Sequence, residues 1–186
     1  VASGGYGEVL LWDLVEGKLA KRLGFGILTG RVGAVCFLAG GKQLAAGDGT
    51  PGQVGSVKVF DVTTGALVRV LSGPTDTVRC LAASADGTLL AAGGAFKEAL
   101  VWKLADGTLA HTVTGHADWV TGVAFSPDGT LLATASLDKS IQLTKTEDWT
   151  RAGRGSAPEP MHGVAFDAAG GSVVSAVGGP SERTVR

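Results

Sequence analysis

Apolar residues in this chain fall in short runs, among them SVKVFDV, GALVRVL, VTGVAFS and LLATAS, rich in β-branched side chains and either alternating or continuous. Gly, Asp and Pro bound the runs, a pattern that predicts β-strands joined by tight turns. No stretch holds apolar residues at helical spacing for three turns. The runs also repeat. Asp86-Gly87-Thr88-Leu89-Leu90-Ala91 recurs 42 residues later as Asp128-Gly129-Thr130-Leu131-Leu132-Ala133, and Val78 is followed by Val120 at the same step. Val32 precedes Val78 by 46 residues, and Phe166 follows Phe125 by 41. A second series, Trp12, Phe60, Trp102 and Thr144, has steps of 48, 42 and 42. Gly17, Gly65 and Gly107 each come five residues after its first three members.

Four short strands in about 42 residues make one blade of a β-propeller. The predicted fold class is therefore all-β, a β-propeller of four-stranded antiparallel blades. Composition supports this, since 30 of the 186 residues are Gly, about twice the usual share. A chain that reverses direction every ~10 residues needs a residue tolerant of positive φ at many corners. Pro127-Asp128-Gly129 shows the chemistry: Pro presets φ, Asp bonds its own backbone, and Gly takes the left-handed corner.

Gly115-His116, the run VTGVAFSPDGTLLATASLDKSIQL, and Trp12-Asp13 with its partner Phe60-Asp61 fit together on one period. In that combination the sequence resembles the WD-repeat β-propeller family over nearly its whole length, and its Ala/Gly-rich, Lys-poor repeats look like bacterial members. The resemblance implies that strand a follows Gly-His, b follows the Asp-Gly turn, c ends at Trp-Asp, and d is outermost. It lays out a partial blade at 1–23 (strands b to d) and three complete blades at 29–72, 73–114 and 115–154. A second partial blade at 159–186 would hold strands a and b and the opening of c at Thr184-Val185-Arg186. A seven-bladed ring would need about 290 residues, so the chain is expected to be a segment of a longer propeller whose remaining blades are its partners. It also implies a hydrogen-bonded tetrad of His, Ser or Thr, Asp and Trp in each blade. Remnants are His116, Ser136 and Asp138 in one blade, where Thr144 replaces Trp, and Trp102 in the preceding one, where Pro74 replaces His.

Charge and cysteine narrow the function classes. With 16 Lys+Arg against 17 Asp+Glu the net charge is −1, which argues against general nucleic-acid binding, because that needs a basic excess. No apolar run approaches the ~18 residues of a bilayer-spanning helix, so membrane insertion is not expected. At 45% hydrophobic residues the chain is too apolar for disorder. Cys36 and Cys80 lie in apolar strand runs without metal-ligand spacing, and read as buried thiols.

No catalytic, metal or cofactor site is expected. His116, Ser136 and Asp138 carry the residue types of a hydrolase triad, but the family uses them as a blade staple, and a fold confers no chemistry by itself. Asp48-Gly49-Thr50-Pro51-Gly52-Gln53 lacks the alternating oxygen ligands and terminal Glu of a calcium loop. Gly24-Phe25-Gly26 and Gly93-Gly94 precede no helix that could bind phosphate. Arg151 and Arg154 read as part of a solvated connection, and His111 and His162 have no companion ligands.

Recognition should then reside on a surface. The resemblance puts the d–a and b–c connections on one rim where partners dock. The candidates there are Arg31, Asp76, Thr77, Lys97, Asp118 and Trp119, of which Trp119 beside an acid has the composition of an interface hot spot. Trp149 occupies a c–d turn, on the opposite face, where other blades have Gly. The expected function is a non-enzymatic scaffold for protein or peptide partners. The alternative is an accessory or sensing propeller of a larger bacterial enzyme or cytochrome-like protein.

Overall fold

A computed structural model describes residues 1–38 and 40–178; the expected strand opening at Thr184 to Arg186 lies outside the described residues. The described chain is all-β. Its first sheet joins β1 (Ala2–Gly4), β2 (Val9–Asp13) and β3 (Lys18–Leu23). The second joins β4 (Ala34–Phe37), β5 (Gln43–Asp48), β6 (Ser56–Asp61) and β7 (Leu67–Leu71), the third β8 (Val78–Ala83), β9 (Leu89–Gly94), β10 (Phe96–Lys103) and β11 (Leu109–Val113). The fourth joins β12 (Val120–Phe125), β13 (Leu131–Ser136), β14 (Ser140–Lys145) and β15 (Arg151–Ser156), and the last pairs β16 (Met161–Phe166) with β17 (Val173–Val177). Every pairing is antiparallel between strands adjacent in sequence, as short tight turns demand.

The corners explain themselves residue by residue. In the β12–β13 turn the Ser126 hydroxyl donates to Asp128 at 2.6 Å, and Asp128 accepts from the Thr130 N–H at 3.0 Å. Gly129 turns the corner at φ 73°. Ser84, Asp86, Thr88 and Gly87 repeat the arrangement between β8 and β9. The turns before β3, β7 and β11 hold Gly17, Gly65 and Gly107 at φ 65°, 81° and 78°. Before β15 the same left-handed corner is made by Trp149, at φ 60°.

The core is divided among the seams between consecutive sheets. Val9, Leu11 and Leu23 meet Leu28, Val32, Leu44 and Phe60 in the first. Val57, Val59 and Leu71 meet Val78, Leu90 and Trp102 in the second, and Ala91, Val101 and Val113 meet Val120, Val123 and Leu132 in the third. Leu90 and Ala92 thus face one neighbour and Ala91 the other, the period-two consequence of a strand buried on both faces. Fully burying one such Leu or Val contributes roughly 1.5–3 kcal/mol. The innermost strands approach so closely that an added Cβ at Gly122 would lie 2.8 Å from the Cα of Gly163.

Two irregularities recur with the period. Strand pairs β8–β9, β12–β13 and β16–β17 each slip register after their first residue, at Val78/Cys80, Val120/Gly122 and Met161/Gly163. The outer pairs slip at Leu11/Trp12, Val59/Phe60, Val101/Trp102 and Leu143/Thr144, so the aromatic series sits on a bulge that re-aims its side chains.

Candidate functional site

The segment before each innermost strand is tied to the turn that ends the next strand out. The Ala95 N–H donates to the Thr77 carbonyl at 2.9 Å, Leu137 to Trp119 at 3.1 Å, and Gly178 to Pro160 at 3.2 Å. The connections that carry Thr77 and Trp119 are therefore tied to neighbouring turns, and exposure separates the six expected surface residues. Arg31, Lys97 and Asp118 are exposed, and Trp119 keeps 38% of its surface in solvent. The Arg79 guanidinium, on the neighbouring sheet, lies 4.9 Å from the centre of the Trp119 ring. Trp119 is thus held from one side and open on the other.

Two of the expected surface residues are instead structural. Thr77 is buried, and its hydroxyl has no partner among the described residues. The 49–55 connection lies over it, so close that an added Cβ at Gly49 would sit 2.7 Å from the Thr77 Cα. Asp76 is half-buried and accepts the Gly52 N–H at 3.2 Å and the Thr77 N–H at 2.6 Å. It anchors that connection, and an added Cβ at Gly55 would strike its carbonyl.

The expected staple around His116 forms with one change of member. His116 Nε2 faces Thr134 Oγ1 at 2.8 Å, and Nδ1 faces Asp138 Oδ2 at 3.1 Å. Ser136, the residue expected from the sequence, bonds elsewhere: its hydroxyl donates to the Asp118 carbonyl at 3.1 Å and accepts the Asp138 N–H at 3.0 Å. Thr134 and Ser136 point to the same face of β13. Thr134 lies mid-strand opposite the imidazole, whereas Ser136 ends the strand against the incoming backbone. Burial lowers the His116 pKa, against the opposing hydrogen bond and charge of Asp138. Burial pushes Asp138 up, but hydrogen bonds from Ser140, the Ala117 N–H and His116 outweigh it, leaving the carboxyl well below its usual range. A neutral ring that donates from Nδ1 and accepts at Nε2 satisfies both partners.

Thr134, His116 and Asp138 thus follow the hydrogen-bond order of a hydrolase triad. Thr134 is fully buried, and the side chains of His116 and Asp138 are 0% and 5% exposed. A nucleophile must meet its substrate carbonyl; this hydroxyl meets only the imidazole. The arrangement fastens the 114–119 connection to its sheet. Trp102, the fourth remnant, is 1% exposed and donates from Nε1 to the Ser72 carbonyl at 3.1 Å. It cannot join a staple in its own sheet, where Ala92 stands 42 residues before Thr134.

Sequence reasoning missed a second polar core. Asp48 is buried and holds Lys58 Nζ at 2.9 Å, the Ser56 hydroxyl at 2.6 Å and the Thr29 N–H at 3.0 Å. Burial raises the Asp48 pKa, and the Ser56, Lys58 and Thr29 contacts more than reverse it. Lys58, a lone cation inside the apolar run SVKVF, was the available signal. Cys36 and Cys80 are free and each is partly covered. Burial pushes the Cys80 thiol up to about 12, against a lowering hydrogen bond with the Gly93 backbone, and so disfavours the thiolate. Among the described residues no group of three or more His, Cys, Asp or Glu is placed to hold a metal, and no helix is long and apolar enough to cross a membrane.

Comparison with known proteins identifies the repeat. No curated protein matches the sequence. Among solved structures, the WD40 repeats of RRP9 superpose with a TM-score of 0.65 at 22% identity, covering 72% of this chain and 41% of that one. The likeness establishes the fold, and the chain spans less than half the length of that structure. Residues 65–102 and 107–144 match the family model for the WD domain, G-beta repeat. Each matched stretch opens before an outermost strand, β7 or β11, and ends in the third strand of the next sheet. The sequence unit therefore straddles a seam, and those two stretches of the chain are WD40-type repeats.

Proposed function

We propose that this protein is a non-enzymatic platform for protein–protein interaction, and that the edge bearing Trp119 is its recognition surface. The observation that carries the reading is Trp119 itself. It is a large ring, 38% exposed, stacked under Arg79 and flanked by the exposed Asp118. A preorganised aromatic with a cation on one side and an acid beside it has the make-up of interface hot spots. Arg31 and Lys97 extend the surface along the same edge, while Asp76 and Thr77 support it from beneath. The partner class that fits is a peptide or protein presenting an apolar or cationic side chain to the open face of the indole.

The test compares quantitative affinity capture by the wild type, Trp119→Ala and Val15→Ala, the last a 96% exposed residue in the turn between β2 and β3. Loss of a hot spot weakens binding by about 2 kcal/mol or more. The same change costs stability the Arg79 stack, about 0.5–1 kcal/mol, and the packing of the covered part of the ring. Proteins lost with Trp119→Ala and retained with Val15→Ala support the reading. Identical capture by all three chains, or a Trp119→Ala chain that unfolds, refutes it.

A further inference from the structure

We propose that the seam between β11 and the β14–β15 hairpin is a binding site for a small planar carboxylate. The aromatic series fills each earlier seam: Phe60 is fully buried and Trp102 is 1% exposed. In the next sheet Thr144 takes that position and leaves a cavity of about 210 Å³, lined by His111, Val113, Thr114, Gln142, Thr144, Trp149 and Arg151. This exceeds the room one water needs and falls below the ~300 Å³ at which drug-sized pockets begin. The ligand is therefore small.

The lining states its chemistry. Gln142 is 1% exposed, and its Nε2 has no hydrogen-bond partner among the described residues. A buried donor without an acceptor is costly, so its retention calls for an acceptor. Lys58 and Leu100 occupy the corresponding place 84 and 42 residues earlier; the amide belongs to this seam alone among the three. Arg151 supplies a second donor at the same spot. An added Cβ at Gly115 would lie 2.9 Å from Arg151 Nη2, 3.5 Å from Gln142 Nε2 and 3.7 Å from Gln142 Oε1, so the guanidinium and the edge of the amide converge over the bare glycine. Arg154, not Arg151, reaches Asp138, at 3.7 Å, and Arg151 forms no salt bridge among the described residues. The lining contains no carboxylate. Two convergent N–H groups, one of them a guanidinium fork, match a carboxylate.

The flat body follows from the ring pair in the lining. Trp149 stacks on His111 with ring centres 4.8 Å apart and planes 4° apart. In the two preceding seams the matching position on the outer strand is a cation reaching the next corner: Lys21 to the Val62 and Thr63 carbonyls, Arg69 to those of Leu104 and Ala105. Here the tie is a ring pair, held by a tryptophan in the left-handed region that other corners reserve for glycine. Strain at a non-glycine residue persists where the surroundings impose it and clusters at ligand clamps. Both rings line the cavity, so the ring pair stands beside its two donors.

The experiment titrates the 186-residue chain with benzoate, and with its neutral isostere benzamide, by calorimetry and tryptophan fluorescence. Benzoate should bind saturably with one site, and benzamide at least about tenfold more weakly, the effect of losing one charged hydrogen bond. Arg151→Gln, at an exposed position, should weaken benzoate by about the same factor. Thr144→Trp should restore the indole and abolish binding while the circular dichroism is unchanged. Absence of saturable binding, equal affinity for the two probes, or an Arg151→Gln chain that binds as the wild type does would overturn the proposal. Arg151→Gln decides the matter if Thr144→Trp fails to fold.

Discussion

Replacing Thr134 by valine removes one hydroxyl and almost no volume, which isolates the hydrogen bond that fastens the 114–119 connection. Thr134 is fully buried, the His116 side chain is 0% exposed, and their contact is 2.8 Å long. Valine opens no cavity, so the cost is that of stranding His116 Nε2 without a donor. A buried polar atom left unpaired costs about 1–3 kcal/mol. A chain of this size loses about 2–4 °C in Tm per kcal/mol, so the melting temperature should fall by about 2–12 °C. Urea unfolding followed by circular dichroism gives the free energy directly. A double-mutant cycle with His116→Phe should return a coupling of about 0.5–3 kcal/mol, as expected for residues in direct contact. Ser136→Ala should show no comparable coupling to His116, because Ser136 bonds the backbone of Asp118 and Asp138 instead. A Thr134→Val chain within about 0.5 kcal/mol of the wild type, or coupling that follows Ser136 rather than Thr134, would refute this account of the staple.

Two further perturbations probe the buried charges. His116 has its pKa lowered in the fold, so below about pH 6.5 the unfolded chain binds a proton that the folded chain refuses. Stability is therefore fully present above that pH and falls as the pH drops toward 5; Asp48 and Asp138, with lowered pKa values, add a second loss below about pH 4. Urea midpoints at pH 7.5, 6 and 5 should show the first step in the wild type and a flatter profile in His116→Gln; parallel profiles would remove His116 as its cause. Lys58→Met strands the buried Asp48 charge and should destabilise by about 3–5 kcal/mol, whereas the double variant Asp48→Asn with Lys58→Met should regain most of the loss in the same assay. Equal destabilisation by both chains would show that the ion pair, rather than the orphaned carboxylate, sets the cost.

The strands and corners were legible because each depends on residues near in sequence. Asp128 binds Thr130, and Gly129 needs only its own φ, so the turn is written in five consecutive residues. The staple was half legible. His116 and Asp138 were found by their types and spacing, but Thr134 and Ser136 carry the same hydroxyl on the same face of one strand, and only the reach of the imidazole selects between them. The proposed recognition edge was legible as a set of connections and not as a set of exposures. Nothing local to Thr77 reveals that the 49–55 connection covers it, since that contact joins residues about 28 positions apart on different sheets.

The seam at Thr144 marks the boundary between the two kinds of information. The sequence by itself determined the period, the all-β class, the glycine corners, and the two departures from pattern, Thr for an aromatic and Trp for Gly. Those are properties of a position compared with its own repeats. The structure decided that both departures face one cavity, with Gln142 and Arg151 converging beside them and His111 reaching across from the preceding sheet. The reason is geometric. Each seam is lined by residues of two sheets, and the bulges at Trp102 and Thr144 re-aim the side chains that enter it. What meets inside a seam is therefore fixed by how one sheet packs on the next.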